Sequence, residues 1–242
     1  MHYAMLALLA AASLIPASVD EAPKAPVKVL LVTGVDHPAH EWKKSAPALR
    51  DVLEDGGRCA VRIVEDPEVL GTDVVFDYDV VVIHFRNDKP LARDRQARAN
   101  LTKLADQGRG LVLIHFACGA FGGSADYEEL AGMVWDGKNT HDPRGAFTVH
   151  VVDAGHPITA GLGDFTTDDE LYIGLEERRP VHVLASARSK VTGRDHPMAF
   201  TVEHGPGRVF HSALGHDARA LQVPAAAELI RRGTLWTAGR TP

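Results

Sequence analysis

Histidine is the residue whose type and placement carry most of the chemistry in this chain, because an imidazole titrates near neutral pH and is a common metal ligand. Of the 13 histidines, six fall at or just beyond the ends of apolar runs that read as strands. His37 and His40 follow the first run, and His84 ends the third. His115 ends the fourth, His211 lies in the last, and His216 stands just past it. In an open α/β sheet ligands bind beyond the carboxyl ends of the strands, so these positions define a candidate pocket. Within it His115 and His211 are the candidate acid and base. The run Asp168-Asp169-Glu170, followed by Tyr172, could deliver a carboxylate to the same place, with Glu170 catalytic and Asp169 and Tyr172 binding. A solvated acidic turn is the competing reading. His216-Asp217 follows Gly215, whose lack of a side chain permits a tight turn or close approach to a ligand; capping of the last helix is the alternative.

Several imidazoles converging in one place also suit a divalent metal, which is the mechanistic alternative. The spacing argues against assigning one: there is no His-Glu-x-x-His and no His-x-His. His37 and His40 form an i, i+3 pair in a loop, and His141 could join from a neighbouring loop. No metal ligand is therefore assigned and no cofactor is expected. No Gly-x-Gly-x-x-Gly follows a strand, so no dinucleotide site is expected either. The two cysteines, Cys59 and Cys118, lack metal or redox spacing and read as buried thiols.

The elements that must position these side chains are legible in the apolar pattern. Strands are predicted over 27–33, 59–64, 78–84 and 110–114. Helices are predicted over 45–54, stopping at Gly56-Gly57, and over 94–107, ending at Gly108. Continuous apolar strands alternating with helices imply a parallel sheet covered on both faces. The second half reads as β-rich, with strands over 147–152, 181–186, 198–203 and 208–212 and a turn at Gly205-Pro206-Gly207. A closing helix over 224–236 turns Ala226, Leu229 and Ile230 inward. The expected fold is α/β, a doubly wound, mostly parallel, flavodoxin-like sheet with some antiparallel additions.

The segment Gly110 to Phe121 has the form of a strand delivering a polar side chain into a tight small-residue turn, as at a nucleophile elbow. Together with Val32-Thr33-Gly34, His40-Glu41-Trp42, His156-Pro157-Ile158-Thr159, Asp169-Glu170-Leu171-Tyr172, Gly207-Arg208-Val209-Phe210 and Leu214-Gly215-His216-Asp217, it resembles the ThuA-like (trehalose utilisation) family, within the class I glutamine amidotransferase-like superfamily. The resemblance spans about Val27 to Gly239. True amidotransferases carry a cysteine nucleophile at the elbow. Here the strand ends in His115 and Cys118 lies three residues on, so glutaminase activity is not expected.

The resemblance implies sugar catabolism, in pathways where a partner oxidoreductase first makes a keto sugar. A ketone acidifies the adjacent C–H, so a placed base and donors for the developing enediolate suffice for isomerisation, epimerisation or elimination, and hydrolysis of a keto glycoside is the further reaction expected. On this reading His40, His84, His216 and Asp217 contact the carbohydrate, and Trp42, Phe116 and Phe121 could stack on its ring, although packing competes. A non-catalytic carbohydrate-binding protein and a metal-dependent hydrolase are the alternatives.

Length and composition agree with one domain. The chain has 242 residues, 45% hydrophobic and 24% charged, with a formal charge of −6. That balance, without a Lys/Arg cluster, gives no footprint for nucleic acid. Residues 1–18, apolar and charge-free from Ala4 to Ile15 and followed by Pro16-Ala17-Ser18, read as a signal peptide too short to span a bilayer. Residues 19–26 form a linker and 27–242 the domain. A periplasmic or secreted protein, with no membrane association after cleavage, is expected.

Overall fold

The computed structural model describes residues 25–242; the expected signal peptide and most of the linker lie outside the described residues. The chain runs β1 (Val27–Val32), α1 (Trp42–Glu54), β2 (Cys59–Val64), β3 (Val80–Ile83), α2 (Asp94–Asp106), β4 (Gly110–Ile114), α3 (Ala125–Ala131) and β5 (Met133–Trp135). The second half runs β6 (Gly145–Val151), β7 (Phe165–Asp169), β8 (Leu175–Glu177), β9 (His182–Arg188), β10 (Asp195–His204), β11 (Gly207–Ser212), α4 (Ala218–Leu221) and α5 (Pro224–Thr237).

Nine strands form one sheet in the order β2-β1-β3-β4-β11-β10-β9-β6-β7. The five from β2 to β11 are parallel, and the next four are antiparallel additions. β5 and β8 pair separately. This is the expected α/β fold. The β1/β3 boundary, where the strand order reverses, is a switch point at which such sheets bind ligands.

Alternation along the parallel strands divides the core in two. Val29 and Leu31 of β1 pack with Leu49 and Leu53 of α1 and Leu229 and Ile230 of α5. Leu30 and Val32 face the other layer, with Leu101 and Leu104 of α2 and Leu130 of α3. Strands apolar on both faces are what a doubly covered parallel sheet requires. Truncating one of these leucines to alanine typically costs about 2–5 kcal/mol.

The departures from expectation have local causes. α1 begins one turn early: the Ser45 N–H reaches the Glu41 carbonyl, and the Trp42 indole donates to Asp36 (2.8 Å). β7 was not expected because its sequence, FTTDD, is polar; as an edge strand on β6 it buries only Thr167 and Asp169 fully. α4 is a single turn whose start is capped by Asp217, which accepts from the Arg219 and Ala220 N–H groups (3.0 Å each).

Candidate functional site

The loops after β1, β4, β7 and β11 bring His40, His115, Glu170 and His216 together. His115 occupies the first residue after β4, in the 3-10 turn His115–Gly119. Its φ of +50° is unusual for a non-glycine residue, as at a nucleophile elbow. The ring is wholly buried. Its Nδ1–H donates to the Ala213 carbonyl (2.8 Å), which leaves Nε2 as the acceptor. Nε2 takes the Tyr172 hydroxyl (2.9 Å) and lies 3.3 Å from Glu170 Oε2.

Glu170 is the centre of the constellation. Its Oε2 is also 3.0 Å from His216 Nδ1, but off the axis of a hydrogen bond. Its Oε1 is 3.3 Å from His141 Nε2. His141 Nδ1 is tied to the Asp142 carbonyl (2.6 Å), so here too Nε2 is the free nitrogen. Burial opposes ionisation of Glu170, but the adjoining His115 and His216 imidazoles outweigh it and hold the carboxyl below its ordinary range. His40 stacks on Phe116 with ring centroids 4.3 Å apart and lies in T-shaped arrangement with His115 and His216 (5.1 and 4.9 Å). Burial first, and then the neighbouring His115 and His216, push its pKa down to about 2. His40 Nδ1 is buried and has no hydrogen-bond partner among the described residues.

Asp169 sets the position of this group from beneath. Wholly buried, its carboxylate accepts three backbone N–H groups: Glu170 (2.8 Å), Gly215 (2.7 Å) and His216 (3.1 Å). Gly215 has φ +113°, and a Cβ there would stand 2.8 Å from Leu221 Cδ2. The turn that presents His216 thus requires glycine.

A cavity of about 120 Å³ opens onto the group, lined by His37, His40, Phe116, His141, Glu170 and Tyr172 together with Arg86 and Trp135. Arg86 lies 4.0 Å over the Trp135 ring. These two residues, with Cys118 and Gly119, are shared with an adjoining cleft of about 270 Å³. Burial, followed by the negative groups around it, raises the Tyr172 hydroxyl well above its ordinary range, so it keeps its proton at neutral pH.

Several expected site residues lie elsewhere. His211 is not at the site: it aligns with Leu113, packs at a tilt against Phe200 (ring centroids 4.6 Å apart) in the layer under α2 and α3, and does not line the cavity. Facing backbone groups of Ala131 and His115 are out of hydrogen-bond geometry, and burial pushes its pKa down to about 3. His84 is wholly buried between Thr33 Oγ1 (3.4 Å) and Ser45 Oγ (3.3 Å), where it buttresses Phe116 (5.1 Å) and cannot reach a ligand. Asp169 is occupied by backbone. Asp217 caps α4 and pairs with Arg144 (2.9 Å, off the hydrogen-bond axis). Trp42 packs outside the cavity beside Asp36, and Phe121 is buried against Phe85 and Tyr127. His141, considered only as an auxiliary ligand, and Arg86 and Trp135, not singled out at all, are at the cavity. Nothing local marks Arg86 or Trp135, because tertiary folding alone brings them together. Cys118 is no nucleophile: burial pushes its thiol up to about 12, the reverse of activation.

The family model described as trehalose utilisation, ThuA, matches residues 28–237. No curated protein matches the chain. Among solved structures, a ThuA-like protein from Parabacteroides merdae is similar, with TM-score 0.78 and 24% identity over 89% of this chain and 91% of that one. Another, from Bacteroides uniformis, has TM-score 0.68 and 18% identity over 90% and 94%. A GMP synthase component from Thermoplasma acidophilum has TM-score 0.52 and 16% identity over 90% and 96%, which carries the amidotransferase-like fold and nothing of its reaction.

Proposed function

The chain belongs to the ThuA family of trehalose utilisation, and from that premise we propose that it is an enzyme acting on a keto sugar or keto glycoside by acid–base chemistry in the cavity around Glu170. The observation that carries this reading is the junction of His141, Glu170 and Tyr172 in one cavity wall. His141 Nε2 is the group placed to take a proton from the carbon beside a ketone, since its other nitrogen is held by a backbone carbonyl. The imidazolium so formed lies 3.3 Å from the Glu170 carboxylate, which offsets its charge. On substrate binding Tyr172 turns its O–H from His115 Nε2 to the developing enediolate oxygen and stabilises it by a hydrogen bond, and the abstracted proton stays on His141 until it returns to the enediolate. His115, having no exposed surface, acts as a positioning residue and not as the base.

Pockets that enclose drug-sized ligands run to roughly 300–1,000 Å³. A cavity of about 120 Å³ takes one small ring, and the rest of a disaccharide extends past Arg86 and Trp135 into the cleft. The reaction class that supplies such a substrate is oxidation of a sugar hydroxyl by a separate oxidoreductase.

The test is turnover of 3-keto disaccharides, their parent sugars and glutamine, followed by NMR. Parent protein should consume only the keto sugars. His141→Gln and Tyr172→Phe should each lose ~10²–10⁴-fold while folding normally. Full turnover by both variants would remove the mechanism; binding of the sugars without turnover by the parent would leave a recognition protein.

A further inference from the structure

Resting on the reading of this cavity as a reaction site, we infer that His40, His115, Glu170 and His216 form a mononuclear site for a divalent transition ion of the zinc class. One donor atom from each of the four lies within 4.8 Å of those of the other three. Zinc–nitrogen and zinc–oxygen bonds of about 2.0–2.2 Å in a tetrahedron set ligand atoms roughly 3.3 Å apart. The Glu170 Oε2 separations from His115 Nε2 (3.3 Å) and His216 Nδ1 (3.0 Å) are already at that spacing. The widest pairs, up to 4.8 Å apart, must close by about 1.5 Å.

Three further features point the same way. His115 donates its Nδ1–H to a backbone carbonyl, the outer-shell bond that fixes tautomer and ring plane in metal-ligating histidines. His40 Nδ1 and His216 Nδ1 are both buried without hydrogen-bond partners among the described residues, which costs free energy unless something takes their lone pairs. The Asp169 carboxylate holds the backbone of two of the four donors, Glu170 and His216. Three imidazoles and one carboxylate are a borderline set, suited to zinc and its first-row neighbours and not to calcium or magnesium. Their origin in four separate loops explains why no ligand spacing appears in the sequence.

Tyr172 competes for the His115 lone pair (2.9 Å). On ion binding it would turn its hydroxyl to an oxygen on the cavity side, where expansion to a fifth ligand would let the ion take the carbonyl oxygen of the sugar. Removing that hydroxyl therefore leaves ion binding intact or tighter while turnover falls. The pattern separates a ligand from an acid.

The experiment uses the full chain, stripped with chelator and titrated with Zn²⁺ by calorimetry, with melting temperature as a second readout. One ion per chain is expected, with a rise in Tm by linkage. His216→Ala and Glu170→Gln should each weaken binding by at least the ~100-fold at the upper end for a lost outer-shell partner. His182→Ala, on an exposed histidine outside the cavity, should not. Fractional or unsaturable binding, or parent-like binding by both cluster variants with normal folding, would overturn the site. Turnover that survives in ion-free protein would also overturn a reaction role for the ion, yet leave the acid–base reading standing. One tight ion with no turnover of any keto sugar would do the reverse.

Discussion

Replacing Asp169 with asparagine perturbs the candidate site without touching its solvent-facing wall. In the native chain Oδ1 accepts from the Glu170 and His216 N–H groups and Oδ2 from Gly215. An asparagine with its oxygen in the Oδ1 position keeps two bonds, now to a neutral acceptor, and sets an NH₂ against the Gly215 N–H. Stranding a buried donor costs about 1–3 kcal/mol, and hydrogen bonds to charged partners are worth more than neutral ones. The sum is a loss of roughly 2–4 kcal/mol, large against a typical domain stability of about 5–15 kcal/mol. The same change frees the backbone that presents His216 and Glu170, so Zn²⁺ affinity should fall ~10–100-fold, as for other outer-shell losses. Urea unfolding gives the first quantity and calorimetry the second. A loss below about 0.5 kcal/mol with unchanged Zn²⁺ binding would refute Asp169 as the residue that holds the cluster.

His211→Leu should leave keto-sugar turnover unchanged and stability within about 1 kcal/mol, since the ring has no hydrogen bond to lose; a 100-fold fall in turnover would restore His211 to the site. The same variant has a pH signature. The pKa of His211 is pushed down to about 3 in the fold against about 6.5 when exposed, so below pH 6.5 the unfolded chain binds the proton first. Stability is therefore lost as pH falls from about 6.5 towards 3, at up to about 1.4 kcal/mol per pH unit, and the variant should flatten the slope of urea-derived stability by that amount. Cys118, with its thiol pushed up to about 12, and Cys59, up to about 11, should resist a thiol reagent at pH 8 in the native chain and both react in urea; fast native labelling of Cys118 would reopen it as a nucleophile. Gly215→Ala should cost about 1–3 kcal/mol through its positive φ and the approach to Leu221, measured by thermal melting; no loss would mean that the turn relaxes freely.

What was readable before the structure follows from how local each signal is. The parallel strands β1, β3 and β4 bury both faces, so their apolar runs announce themselves, and the loops at their carboxyl ends locate His40 and His115. Tyr172 and Glu170 were legible as a carboxylate and phenol near one another, but the division of labour within Asp168-Asp169-Glu170 was not. Which carboxylate faces the cavity depends on the phase of β7, an edge strand whose polar sequence hides its pairing with β6. His211 misled because a position near the end of β11 says nothing of the side to which the ring points, and a shift of one residue reverses it. His141, Arg86 and Trp135 arrive from connections whose only common property is where folding leaves them.

The proton transfer proposed for this cavity, at a carbon beside a sugar ketone, is measured most directly by deuterium exchange. A 3-keto disaccharide would be incubated with the full chain in D₂O and followed by NMR, beside His141→Gln. Deuterium entering the carbon next to the carbonyl, at a rate that falls ~10²-fold or more in the variant, is the predicted result. A keto sugar that binds by saturation transfer but is neither exchanged nor consumed would contradict the account.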